Sequence, residues 1–227
     1  MATTFDTAPY AALLKAAVRD RSVDYDAVNA RVKELDAFLK RVADAELGHA
    51  SDDDACAFFI NAYNALVLRA FLAHGRKRVI DVPGFFDKEP HVVAKETLTL
   101  NELEERKIRR LDAHGLARDP RVHFAVNCAS RDCPPLLDRP YAGATLATDL
   151  EERTRAYLAR GGEVVVDESG HRVIVVQLLE WYASDFGGES AVRAFLARYV
   201  PALKDKLLDE RVDLDFRPYD WSTNALK

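Results

Sequence analysis

Hydrophobic and charged positions alternate at helical spacing through the first fifty residues. Leu35, Phe38, Leu39 and Val42 form an i, i+3, i+4, i+7 stripe, which is the pattern of an amphipathic helix. The sequence RSVD interrupts the pattern, and its serine and aspartate are residues that commonly cap helices. Two helices are therefore predicted within residues 8–46.

A third helix is predicted from SDDDACAFFINAYNALVLRAFLAHG, which begins at Ser51. Three aspartates stand at its start, where the positive end of the helix dipole favours them, and Gly75 is placed to end it. The segment is apolar on nearly all sides, so we expect the helix to be buried. Asn61 and Asn64 are unusual there, because a buried amide without hydrogen-bond partners costs about 1–3 kcal/mol. They either cap a neighbouring loop or face a functional site.

The middle of the chain predicts short strands mixed with helices. A short strand is expected around Pro90–Ala94, and a helix from about Leu100, where Thr99 and Glu102 have the spacing of a capping box. The segment Val122–Cys128 is almost wholly apolar. It predicts an inner strand that is covered on both faces.

The last third predicts a hairpin framed by helices. Two β-branched runs joined by Asp167–His171 form the hairpin. A helix before it is expected to close at Gly161 and Gly162, a short helix after it ends at Gly187, and a last helix is broken by Pro201. The alternating segment RVDLDFRP then predicts a final exposed strand.

The order of these elements favours an α+β fold, because the regular βαβα alternation of a doubly wound fold is missing. We expect a helical N-terminal half packed on a mixed, mostly antiparallel sheet. No Gly/Ser/Pro-rich linker interrupts the middle, so a single domain is predicted over residues 1–227. Residues 1–50 are expected to be a helical extension packed on it.

Composition narrows the classes of function. The chain has 227 residues, of which 48% are hydrophobic and 30% charged, with a net charge of −5. Because basic residues are interspersed with acids, no clustered basic face is expected to bind nucleic acid. We find no signal peptide and no apolar window of membrane length, so a cytoplasmic protein without a membrane partner is expected. The oligomeric state is left open.

Three cysteines, Cys56, Cys128 and Cys133, are too few and too odd in number for a disulfide scaffold. In a reducing cytoplasm we expect them to be free, metal-bound or catalytic. Cys128 follows His123 by five residues, and the first hypothesis makes Cys128 a nucleophile and His123 its base. In a regular strand these two side chains face opposite ways, so a direct pair needs the chain to turn at Asn127–Cys128.

Other polar residues have candidate roles around this pair. Glu104 or Asp220 would orient His123, and Asn127 would add a hydrogen-bond donor for an oxyanion. Arg109 would hold a substrate carboxylate or lower the pKa of the thiol. Trp221 is expected to wall a pocket. Glu180 and Asp185 are taken as structural.

Three alternatives to the nucleophile stay open. In the first, Cys128 is a small buried hydrophobe and the protein is a non-enzymatic binding or scaffold module. In the second, His123, Cys128 and Cys133 bind zinc together with His91 or Asp220, although the spacing is not the familiar C-x2-C. In the third, Cys128 and Cys133 form a reversible disulfide across a turn.

Several phrases taken together closely resemble the DUF547 family of bacterial and plant proteins. They are FFINAYNALVLRAFL, LTLNELEERKIR, DPRVHFAVNCASRDCPPL, LEWYASDFG and YDWSTN, in this order along the chain. The family's signature cysteines fall on Cys128 and Cys133, and its INAYNA phrase places Tyr63 and Asn64 near a site. The activity of the family is not established.

The resemblance implies a core like those of papain-like and transglutaminase-like cysteine peptidases. The expected activity is thiol-dependent hydrolysis or acyl transfer on an amide or thioester bond of a small-molecule or peptide substrate. No cofactor and no metal are expected. In transglutaminase-like folds the nucleophilic cysteine opens a buried helix, whereas the buried helix predicted here carries Asn61 and Asn64.

Overall fold

Four helices form the N-terminal part of the protein. The computed structural model describes residues 5–110, 117–160 and 163–226. The helices are separated by a short hairpin after the first, and in chain order the elements are α1 (Ala8–Ala17), β1 (Val18–Arg19), β2 (Ser22–Val23), α2 (Tyr25–Ala30), α3 (Val32–Asp44) and α4 (Asp52–Ala73). The Asp24 side chain accepts hydrogen bonds from the first amides of α2, and Ser51 does the same for α4. The helical character of residues 8–46 and the cap at Asp24 are confirmed, but the second predicted helix is divided at Arg31 into α2 and α3, and Ser22 lies in β2 instead of capping a helix.

A second hairpin leads into the helix that begins the candidate site. Strand β3 (His91–Val93) pairs antiparallel with β4 (Glu96–Leu98), and α5 (Leu100–Leu103) follows. Thr99 and Glu102 form the predicted capping box at its start. The helix then widens into a π-helix at Glu104–Arg109.

The strand predicted at Val122–Cys128 is wrong. Residues Pro120–Phe124 form a 3-10 helix. The chain then continues without regular structure into the segment from Cys128 to Cys133, which we call the cysteine turn. The fixed φ of Pro120 suits the first position of a helix, and the Asp119 side chain caps the Arg121 amide. The apolar run is therefore buried without forming a strand. His123 and Cys128 do not share a strand, so alternation of side chains along a strand does not separate them.

The C-terminal part holds the largest sheet that the structure describes. Its elements in chain order are α6 (Leu146–Leu158), β5 (Val164–Val166), β6 (Arg172–Val176), α7 (Leu178–Trp181), α8 (Ala183–Phe186), α9 (Glu189–Tyr199), α10 (Lys204–Leu208) and β7 (Asp213–Arg217). Strand β6 is central, antiparallel to β5 and parallel to β7. The predicted hairpin, the stop at Gly187 and the α+β fold class are confirmed. The predicted closure at Gly161 and Gly162 lies outside the described residues.

Two clusters of buried apolar side chains form the interior. The first surrounds α4, and the second lies between the β5–β6–β7 sheet and helices α6 and α9. Trp221 packs against both clusters. Helix α4 is long and apolar enough to cross a membrane by length and composition alone, but 72% of its apolar window is buried inside the protein, as in a core helix.

Candidate functional site

A cavity of about 290 Å³ opens where the two apolar clusters meet. Its walls are mostly aromatic and apolar, and they come from α4, α5, α7, the cysteine turn and the C-terminal tail. The polar and sulfur-bearing side chains that line it are Tyr63, Asn101, Glu104, His123, Cys128, Cys133, Tyr182 and Tyr219. This volume and lining are typical of a site for a small organic group.

His123 lies in the cavity wall with its imidazole held in one orientation. Its Nε2 is 2.8 Å from Asp185 Oδ2, and its ring stacks on Tyr182 with a centroid distance of 3.9 Å. Because an ionised carboxylate only accepts hydrogen bonds, Nε2 carries the hydrogen. Nδ1 is then the ring nitrogen left for proton transfer, and Glu104 Oε1 lies 3.9 Å from it.

Asp185 is the charged anchor behind His123. Arg109 donates two hydrogen bonds to it, from Nε at 2.7 Å and from Nη2 at 2.6 Å. Burial by itself would raise the pKa of Asp185, but the hydrogen bonds from Arg109 and His123 outweigh it and lower this pKa to about 2. Asp185 is therefore ionised at neutral pH. It fixes the imidazole as the acid of a catalytic triad does.

Glu104 brings a carboxylate to the cavity, and no lysine or arginine of the described residues forms an ion pair with it. It is the first residue of the π-helix, and such widened turns are frequent at functional sites. Its side chain is buried, and Oε1 has no hydrogen-bond partner in the described protein. Burial is the main cause that raises the pKa of Tyr63 and of Tyr182, and the Glu104 charge raises both further.

Cys128 and Cys133 are joined by a disulfide in the cavity wall, with their Cα atoms 6.1 Å apart. Cys133 is buried, whereas Cys128 is partly exposed. Two donors point at Cys133 Sγ: the Cys128 amide at 2.9 Å and the Tyr219 hydroxyl at 3.1 Å. No hydrogen bond joins Cys128 Sγ to His123 in the parts of the chain described. The nucleophile–base pair expected from sequence is therefore not formed in this disulfide state.

The family model described as "Protein of unknown function, DUF547" matches residues 47–158. This chain belongs to the DUF547 family. The match covers about half of the 227 residues and includes α4, the π-helix, His123 and both cysteines of the disulfide. Asp185, which lies beyond residue 158, completes the charged part of the site. No curated protein and no solved structure matches the chain.

Two asparagines expected to line the site of this DUF547 protein lie behind its cysteine turn. Asn64 donates to Ala125 O at 2.9 Å and accepts from the Asn127 amide at 2.9 Å. The Asn127 side chain donates to Pro134 O and accepts from the Ala129 amide. Both side chains therefore hold the loop that carries the cysteines, which is the capping alternative weighed for α4.

The remaining predicted residues divide between the cavity and its surroundings. Tyr63, Glu104 and Trp221 line the cavity. Arg109 lies behind it, where it pairs with Asp185 and its guanidinium lies 5.1 Å from the ring centroid of Tyr182. Hydrogen bonds from the Ser222 side chain and from its amide lower the pKa of Asp220, and no hydrogen bond joins Asp220 to His123 in the described residues. The catalytic roles of these residues stay predictions.

Sequence reasoning misses Asp185, because its position predicts a structural role, whereas the structure bonds it to His123. The available signal was its place in the phrase LEWYASDFG, which also supplies Trp181 and Tyr182 to the cavity. Its pairing with His123 spans 62 residues of chain, so nothing local to either residue could reveal it.

The described residues do not form the zinc site that was one alternative for His123, Cys128 and Cys133, and the third cysteine lies outside the cavity. Over residues 5–110, 117–160 and 163–226, no group of three His, Cys, Asp or Glu side chains can hold a metal ion. Cys56 is a free cysteine on α4 that does not line the cavity. Burial raises the pKa of its thiol to about 11, so it is a poor nucleophile at neutral pH.

Proposed function

We propose that this DUF547 protein is a thiol-dependent enzyme, and that Cys128 and Cys133 carry out thiol–disulfide exchange with a small-molecule or peptide thiol in the cavity. One observation carries the proposal: both cysteines line the cavity, and they are bonded to each other there. A disulfide that adjoins a ligand-sized cavity is placed to meet a substrate. A structural disulfide has no need of such access.

The turn does not depend on the disulfide for its shape. Asn127 bonds to Pro134 O across the same segment, and the Cys133 amide donates to Ser130 O at 3.2 Å. The chain-entropy model gives a disulfide that closes so short a loop about 2 kcal/mol, the low end of the usual range. Chemistry explains the pair better than stability does.

The exchange begins at the more exposed sulfur, Cys128. A substrate thiolate attacks Cys128 Sγ, the bond to Cys133 breaks, and Cys133 leaves as a thiolate. The Cys128 amide and the Tyr219 hydroxyl, already directed at Cys133 Sγ, stabilise that negative charge. Hydrogen bonds to a thiolate lower the pKa of the thiol and make it a better leaving group.

A second substrate thiolate then attacks the substrate sulfur of the mixed disulfide. The products are an oxidised substrate disulfide and the Cys128 thiolate. Two substrate thiols have lost two electrons and two protons, and the protein has gained both as two thiols. His123, held by Asp185, is the imidazole in the cavity wall that can accept the proton of an incoming thiol.

A second candidate function is hydrolysis or acyl transfer by reduced Cys128 on an amide or thioester. The Asp185–His123 pair favours it, because cysteine hydrolases use an imidazole oriented in this way. Under this alternative the disulfide is an inactive state, and Cys133 is not needed for turnover. We also propose a cytoplasmic location, where cellular reductants would keep the pair largely as thiols.

Trapping of mixed disulfides tests the exchange. The native protein in its disulfide form is incubated with the thiols cysteamine, cysteine or glutathione, and Cys133→Ser with the corresponding disulfides cystamine, cystine or oxidised glutathione. Adducts are located by mass spectrometry. In Cys133→Ser the Cys128 thiolate attacks the probe disulfide and releases one probe thiol, and we expect the mixed disulfide at Cys128 to accumulate because its resolving sulfur is missing. Cys56→Ser is the matched control and should behave as the native protein. A pair that reacts only after the protein unfolds would refute the proposal.

The same variants separate the two candidates. Hydrolysis of a model thioester by the reduced protein should survive in Cys133→Ser and be lost in Cys128→Ser if the second candidate holds. If exchange is the function, the native disulfide form oxidises up to one equivalent of thiol pairs, both substitutions abolish this oxidation, and thioester hydrolysis stays at the background rate.

A further inference from the structure

The cavity presents one carboxylate and several aromatic rings to a ligand. Glu104 is a lining residue, and no lysine or arginine lines the cavity in the described parts of the chain. The aromatic lining residues are Tyr63, Phe86, Trp181, Tyr182, Tyr219 and Trp221. A cavity with this composition attracts positive charge.

Three of the rings pack into one cluster, which we call the aromatic wall. It consists of Trp181, Tyr219 and Trp221, whose centroids lie 4.7–5.7 Å apart. Trp181 keeps 44% of its surface exposed, which is a large apolar area to leave in water. A ligand seated against the wall would cover part of it.

Glu104 keeps one carboxylate oxygen without a partner for such a ligand, while the Tyr63 and Tyr182 hydroxyls form hydrogen bonds with its carboxylate. Arg109 donates to Asp185, and no ion pair joins Arg109 to Glu104 in the described residues. The Glu104 Oε1 atom is buried without a hydrogen-bond partner. A buried carboxylate oxygen in this condition calls for a donor or a cation to approach it.

We propose that the cavity binds an organic cation, and that the thiol or disulfide substrate carries an ammonium or quaternary ammonium group. The aromatic wall supplies the ring faces that attract such a group, and Glu104 supplies the opposite charge. A cavity of about 290 Å³ admits a group of this size. The identity of the substrate rests on the exchange function proposed above, whereas binding of the cation does not.

Matched ligands isolate the charge. Choline and 3,3-dimethylbutan-1-ol have the same shape and differ in a positively charged nitrogen against a neutral carbon, and 3,3-dimethylbutanoate adds a negative charge. Isothermal titration calorimetry of the full chain with each probe gives the affinities. We expect choline to bind at least about tenfold more tightly than the neutral alcohol, and the carboxylate to show no binding.

Three variants locate the binding. Glu104→Gln keeps the shape of the side chain and removes its charge, and Trp181→Ala removes the exposed ring of the aromatic wall. Each should weaken choline binding by at least about tenfold, whereas Glu105→Gln, an exposed neighbour on the same π-helix, should not. Thermal melts check folding, and Trp181→Ala serves if Glu104→Gln fails to fold.

Equal affinity for choline and the neutral alcohol, or preference for the carboxylate, would overturn the proposal. The trapping experiment distinguishes this failure from failure of the exchange function. Choline binding with an inert disulfide leaves only the cation site, and mixed disulfides without choline binding leave only the exchange.

Discussion

At the scale of single residues, Asp185 decides how the imidazole of His123 is presented to the cavity. One carboxylate receives two hydrogen bonds from Arg109 and one from His123. Burial disfavours the charged form of Asp185, but these hydrogen bonds favour it more strongly, so its pKa falls to about 2. Nε2 of His123 is therefore hydrogen-bonded to Asp185, and Nδ1 is the ring nitrogen that faces Glu104.

Asp185→Asn should lower the free energy of unfolding by about 3–5 kcal/mol at pH 7, because Arg109 and His123 lose a buried ionic partner. The pKa is lower in the folded protein than the value of about 3.9 in an unfolded chain. The stabilisation is therefore complete above about pH 5 and is lost as the pH falls through 4 towards 2. Urea unfolding at pH 7, 5, 4 and 3 measures it.

In that experiment the difference in the free energy of unfolding between the native protein and Asp185→Asn should decrease as the pH falls from 5 to 3. The control is Asp36→Asn, which removes an exposed ion pair with Arg69 and should change stability by less than about 1 kcal/mol. A difference of constant size across the pH range would show that the stabilising interaction is not ionic.

At the scale of elements, α4 supports the loops that pack against it, including the cysteine turn. Its Asn61 side chain forms two hydrogen bonds with the backbone of Tyr141, and Asn64 does the same for Ala125 and Asn127. These segments have no strand ladder, so side-chain amides satisfy their buried backbone groups instead. The apolar surface of the helix makes it central, and its two asparagines position the loops.

Asn64→Ala should therefore destabilise the protein by about 2–4 kcal/mol, since it leaves a buried carbonyl and a buried amide unpaired. Asn29→Ala on α2 is the matched control, because this asparagine is exposed, and the change should be neutral or slightly stabilising. Chemical denaturation measures both. Faster hydrogen exchange at the Asn127 amide should accompany the loss, and similar stabilities of the two variants would contradict this account.

At the scale of the whole molecule, the C-terminal tail connects β2 and α2 with the loop that leads into the cysteine turn. The Val23 amide donates to Asn224 O at 2.9 Å, and the Tyr25 hydroxyl donates to Asn224 Oδ1 at 2.7 Å. Asn224 Nδ2 also reaches Asn127 Oδ1 at 3.2 Å. One tail residue thus connects α2 with the turn that carries the cysteines.

Asn224→Ala should lower the free energy of unfolding by about 1–3 kcal/mol, because the buried Tyr25 hydroxyl loses its acceptor. Leu226→Ala, at a side chain that is 49% exposed, should change stability by less than about 0.5 kcal/mol. Thermal unfolding compares the two. If mixed disulfides form faster at Cys128 in Asn224→Ala than in the native protein, the tail also restricts motion of the cysteine turn. An unchanged melting temperature would show that the tail does not take part in the cooperative unfolding transition.

Much of the local structure could be predicted from short segments. Asp24 and Thr99 cap helices as expected, and Gly187 ends one, because caps and stops depend on residues a few positions apart. The apolar run before Cys128 misled because burial, and not strand pairing, explains it. A short hydrophobic stretch indicates that its residues are buried, but it does not indicate which backbone conformation they adopt.

The sequence by itself determined the family, the α+β class, the buried helix α4 and the candidates His123, Cys128, Glu104 and Tyr63, since patterns and phrases are written locally. Only the tertiary structure decided which of these meet. It brought Asp185 and Arg109 to His123, set Asn64 and Asn127 behind the turn, joined Cys128 to Cys133, and opened the cavity between the two clusters. The physical reason is distance along the chain: the partners of His123, Asn64 and Tyr25 lie 62, 63 and 199 residues away, and only packing of the cores selects them.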